Sequence, residues 1–111
     1  MRGAGRMKRN GYEIEWGVGR HGPGNNIFTY FVEPNGFVTE YTTGMEQVEN
    51  DNYTYHGPDY WATAFERPCR WGMATSMTDE MRKAMKGEIV AERNARCEEI
   101  IAQGLAKGLG R

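Results

Sequence analysis

Alternation of apolar and polar positions is sharpest over Tyr12-Glu13-Ile14-Glu15-Trp16-Gly17-Val18, where Tyr12, Ile14, Trp16 and Val18 share one face and the two glutamates the other. That period of two predicts a half-buried strand over residues 12–18. Two further β-rich runs, Ile27 to Val32 and Phe37 to Thr43, are joined by Glu33-Pro34-Asn35-Gly36. Pro, then Asn, then Gly fits a type I turn closed by a left-handed residue, the three-residue hairpin loop with a bulge. This loop pairs Glu33 with Phe37 and makes the numbers of all later partners sum to 70. Tyr30 then lies opposite Glu40, on the face of Phe28, Val32, Val38 and Thr42. A four-residue loop would instead send the phenol and the carboxylate to opposite faces.

Around this hairpin the pattern is less regular. Arg6-Met7-Lys8-Arg9 followed by Asn10-Gly11 predicts a helix end with a left-handed cap, the tail of a helix without its body. Gly19 to Asn26 holds three glycines and Pro23 and predicts a loop. After a polar stretch from Gly44 to Pro58, a short helix is expected over residues 59–65, then an irregular segment in which Trp71 and Met73 pack. Thr78, Asp79 and Glu80 supply an N-cap and an acidic first turn for a helix with Met81, Ala84, Met85 and Ile89 at helical spacing. It is expected to run through Ile100 and Ile101, with an interruption at Gly87 and fraying by Gly104. The stripe Met77, Met81, Met85, Ile89 reads as core packing or a cap on the exposed sheet, and Arg82, Lys83 and Lys86 as its solvated face.

Composition bounds the function. The 111 residues carry 14 Lys+Arg against 15 Asp+Glu, a net charge of -1 and 39% hydrophobic residues. This is one small domain with no basic field for nucleic acid. No apolar run is long enough for a bilayer span, and the N-terminus lacks the apolar core of a secretion signal, so a cytoplasmic protein is expected. Cys69 and Cys97 fit two buried free thiols rather than a disulfide framework, and without a CxxC pair they do not suggest a metal site. Charge is unevenly spread: His21 to Glu66 contains no Lys or Arg but seven acids, which makes this stretch the place to seek a cation site.

His21, Tyr30 and Glu40 stand out there. A carboxylate on a mostly apolar strand face must be paired, hydrogen-bonded, metal-bound or at a wet rim. Taken singly, Glu40 reads as a ligand or a rim residue, His21 as a loop histidine, and Tyr30 as a core tyrosine with its hydroxyl at the edge. The combination says more. Gly19-Arg20-His21-Gly22, Tyr30 nine residues after the histidine, Pro34-Asn35-Gly36, and Glu40 ten residues after the tyrosine resemble the end of the type I extradiol ring-cleavage dioxygenases. These are the catechol 2,3-dioxygenase and dihydroxybiphenyl dioxygenase enzymes of the vicinal oxygen chelate superfamily, and the close match runs from about Asn10 to Val48.

The resemblance implies an α+β fold: part of a βαβββ module over residues 1–48, with a three-stranded antiparallel sheet, and a loop and mostly helical C-terminal extension over 49–111. It implies Fe(II), with Mn(II) as the alternative, held by two histidines and a glutamate that leave positions open for a catecholic substrate and dioxygen. Glu40 matches the glutamate ligand, His21 a histidine that hydrogen-bonds substrate, and Tyr30 the tyrosine beside the bound catecholate. Neither histidine ligand has a counterpart, since in the family both lie on opening strands of modules, and His56 matches no family ligand. The resemblance thus implies the C-terminal part of an extradiol dioxygenase, inactive as an isolated chain. The alternative is a non-catalytic binding or assembly module of vicinal oxygen chelate type. A homo-oligomer that rebuilds a barrel from two copies would still lack the histidine ligands.

Overall fold

A computed structural model of the chain describes residues 1–51, 53–63, 69–74 and 76–109. Helix α1 (Arg2–Arg9) leads to strand β1 (Trp16–Arg20), a 3-10 turn (Pro23–Asn25), strands β2 (Ile27–Val32) and β3 (Val38–Thr43), and helices α2 (Pro58–Thr63), α3 (Asp79–Met85) and α4 (Glu88–Leu109). The sheet is antiparallel in the order β1-β2-β3. It has the α+β architecture and the three-stranded antiparallel sheet that the resemblance implies.

The hairpin has the expected register. Ile27 faces Thr43, Tyr30 faces Glu40 and Val32 faces Val38. At the turn, the Gly36 amide donates to Glu33 O at 2.8 Å and the Glu33 amide donates to Phe37 O at 2.9 Å. Gly36 adopts φ +91°, a left-handed conformation that an L side chain enters only at a cost.

β1 departs from the prediction. Residues 12–14 are not strand, and the ladder slips by one residue between Gly17 and Gly19: Trp16 pairs with Tyr30 and Gly17 with Thr29, but Gly19 pairs with Phe28. The bulge takes up Val18, so the even alternation from Tyr12 to Val18 does not continue as one regular face. The strand also extends to Arg20, into the expected loop.

One face of the sheet carries the main core, in which Trp16 and Phe28 pack with Cys69, Ala74 and Met81, bordered by Tyr30, Val32, Val38 and Met77. On the opposite face Thr29 and Phe31 are buried, and the Tyr41 ring lies against Gly3 of α1, where Ala4 is also buried. α1 ends in paired bonds, Tyr12 N to Met7 O at 3.1 Å and Gly11 N to Lys8 O at 3.0 Å, the Schellman arrangement. Gly19 is where the C-terminal part meets the sheet: a Cβ there would come within 2.8 Å of Cys69 Sγ and 2.9 Å of the Ala74 Cβ.

α3 begins as its sequence dictates, with Thr78 Oγ1 accepting from the Met81 amide at 3.1 Å. Met81 and Ala84 are buried, but Met85 is 60% exposed: it is the last residue of the helix, and the chain turns at Gly87 with φ +75°. α4 restarts at Glu88 and runs past Gly104 to Leu109 without the expected fraying. Three other expectations change. Cys97 is exposed on α4 while Cys69 is the buried thiol. Trp71 and Met73 are exposed, and Ala74 packs in their place. Helix α2 begins at Pro58, and the expected end of this helix, residues 64–65, lies outside the described residues.

Candidate functional site

The hairpin and the β1–β2 loop bring His21, Tyr30 and Glu40 to one point. Antiparallel pairing sets Tyr30 and Glu40 directly opposite, so their side chains leave the sheet on the same side. His21 follows β1, and its amide donates to Asn26 O at 2.9 Å, turning the imidazole back over the hairpin. His21 Nε2 lies 3.0 Å from the Tyr30 hydroxyl oxygen and 3.3 Å from Glu40 Oε1. Asn26 Nδ2 donates to the same Glu40 oxygen at 3.2 Å and to Thr42 Oγ1. Asn26 is buried, and its charge-neutral amide carries no chemical signature by which the sequence alone would have singled it out.

Aromatic rings support the group. The imidazole stacks on Phe28 with centroids 3.8 Å apart and 14° between planes. Trp16 packs on Phe28 at 4.5 Å and lies nearly parallel to Tyr30 at 5.4 Å. These rings exclude water on one side, while the side chains of His21 and Glu40 stay 18% and 29% exposed. The site is therefore a half-open rim with a solid aromatic floor.

Its electrostatics follow. Burial holds the His21 imidazole below its ordinary value, against the upward pull of Glu40's charge and hydrogen bond. Burial, then the Glu40 charge and a hydrogen bond to it, push the Tyr30 phenol up to about 12. Near neutral pH the site thus sets a neutral imidazole and a neutral phenol against an acidic side chain, a combination that suits proton donation to an anionic ligand.

As a metal centre the donor set is incomplete. Among the described residues no group of three His, Cys, Asp or Glu side chains could hold a metal ion. Glu40, with His21 as its neighbour, offers one carboxylate donor. The other histidine, His56, stacks on Tyr60 at 3.7 Å and accepts at its carbonyl from Trp61 Nε1. It lines a separate recess of about 270 Å³ with Tyr53, Tyr55, Trp61 and Arg70.

The fold resembles a Mn(II)-bound glyoxalase from Novosphingobium aromaticivorans, with a TM-score of 0.56 and 42% identity, covering 73% of this chain and 26% of that one. In sequence it is 39% identical over 46 residues to metapyrocatechase 2 of Cupriavidus necator, a match covering 41% of this chain and 14% of that protein. No family model matches. Over the parts compared the chain is thus similar to a metapyrocatechase and to a glyoxalase, and it spans less than a third of the length of either relative. Among the described residues no helix is long and apolar enough to cross a membrane.

Proposed function

We propose that this chain is the C-terminal part of an Fe(II)-dependent extradiol dioxygenase that cleaves catecholic rings with dioxygen. The observation that carries this reading is the meeting of the Tyr30 hydroxyl and Glu40 Oε1, set opposite each other by the β2–β3 register, at His21 Nε2. Glu40 supplies one anionic ligand; Mn(II) would suit the same oxygen donor. When bound, such an ion supplies a Lewis-acid centre at which catecholate and dioxygen meet. The residues of this chain serve the substrate. Tyr30, kept protonated, donates to a catecholate oxygen, and His21, neutral, holds or passes a proton at Nε2. Trp16 and Phe28 hold both donors in place.

With one ligand of three, the chain alone carries no ring-cleavage step. β3 is an edge strand, and a strand laid along it would bring further donors toward Glu40. Mixing the purified chain with Fe(II), catechol and air is expected to give no yellow ring-opened product. Robust cleavage would overturn this part of the proposal.

A second reading is a non-catalytic binding or assembly module. It is favoured by the fact that Glu40 Oε1 is already met by His21 and Asn26, leaving it satisfied without a cation. Titration with Fe(II) or Mn(II) distinguishes the two: binding that is lost in Glu40→Ala supports the metal site, and absence of any Glu40-dependent binding supports the module.

A further inference from the structure

The loop that presents His21 is held from outside by one residue far away in sequence. Arg70 Nε donates to His21 O at 3.0 Å and Arg70 Nη2 donates to Gly22 O at 3.0 Å. The Arg70 amide donates to Arg20 O at 2.8 Å. Three successive carbonyls, on either side of the histidine and at it, are therefore engaged by a single side chain and its own backbone. Cys69, beside it, accepts from the Arg20 amide at 3.3 Å, and Arg20 Nε donates to Asn25 Oδ1 at 2.9 Å. A guanidinium presents its N–H groups in a rigid planar fork, so bonding two consecutive carbonyls fixes the peptide planes on both sides of Gly22, the first of which is the His21–Gly22 plane. The imidazole is mounted on the Cα at the head of that plane, and the plane on its other side is held by the Arg70 amide at Arg20 O. Its 3.0 Å and 3.3 Å contacts with Tyr30 and Glu40 do not survive a shift of about 1 Å.

We propose that Arg70 is a positioning residue for His21: it locks the peptide planes of the β1–β2 loop so that Nε2 faces the phenol and the carboxylate. This rests on the reading of His21 as a donor at the site. It also gives the C-terminal part a role in the site, since residues 69–74 must dock against Gly19 before Arg70 reaches the loop.

The test uses the metal-free chain, so it is independent of metal binding at Glu40. Amide exchange and two-dimensional NMR are recorded for the wild type, Arg70→Lys and Arg70→Gln. In Arg70→Gln the His21 amide is expected to exchange about tenfold faster or more, the scale of one lost charge-assisted bond. Ring contacts of His21 with Phe28 and Tyr30 should weaken together with it, while β2–β3 amides stay protected. Arg70→Lys, which offers a point charge in place of the fork, should fall between, and added methylguanidinium should restore the ring contacts of Arg70→Gln. Loss of amide protection with the His21 ring contacts intact would overturn the proposal, leaving Arg70 a staple of the loop alone. If Arg70→Gln also loosens the hairpin, the Lys variant decides: unchanged His21 ring contacts there overturn it. Failure of the dioxygenase reading is seen separately, in the response to Glu40→Ala.

Discussion

At the scale of single residues, the site sets two titrations in opposite senses. The folded His21 imidazole lies below the ordinary 6.5, so the unfolded chain takes up that proton first as pH falls. His21 therefore contributes stability that is full above 6.5 and is lost as pH drops through the folded value; a melting series on the metal-free wild type and His21→Phe should show the variant with the shallower acid slope. Tyr30 behaves in reverse. Its contribution is full below 10 and is lost as pH rises through about 12. Spectrophotometric titration should show a late phenolate step that Tyr30→Phe removes. Thr29 offers a third case: its hydroxyl is buried without a partner among the described residues, so Thr29→Val should raise stability by about 1 kcal/mol in urea unfolding.

At the scale of elements, what was legible in the sequence is what short-range chemistry determines. Pro34-Asn35-Gly36 dictates its own turn, and a turn fixes the register of both strands, so the placement of Tyr30 against Glu40 followed from three loop residues. Gly36→Ala should cost about 1–2 kcal/mol, because it forces a side chain into φ +91° and against Ile89. Thr78→Ala should cost about 1 kcal/mol by removing the α3 cap. What was not legible depends on distant partners. The bulge at Val18 accommodates β2 and has no counterpart in the alternation of Tyr12 to Val18. Asn26 looked like a loop residue until the hairpin brought Glu40 and Thr42 beside it. Arg70 lies 49 positions from His21, and no spacing rule connects them.

At the scale of the molecule, stability is concentrated at one end of an elongated body measuring 71 × 32 × 28 Å. The core joins the sheet to residues 69–84, and the far part of α4 leaves Ile100, Ile101 and Leu105 exposed. Met81→Ala should therefore cost about 2–5 kcal/mol. Ile101→Ala should stay within about 0.5 kcal/mol. The match to metapyrocatechase 2 supplies the most direct test of the dioxygenase reading. Residues 10–48 of this chain, which include the hairpin and Glu40, grafted in place of their counterpart in that protein, would be assayed with catechol with and without Glu40→Ala. The graft is expected to cleave the ring and Glu40→Ala to abolish cleavage; a graft that stays fully active with Glu40→Ala would overturn the dioxygenase reading.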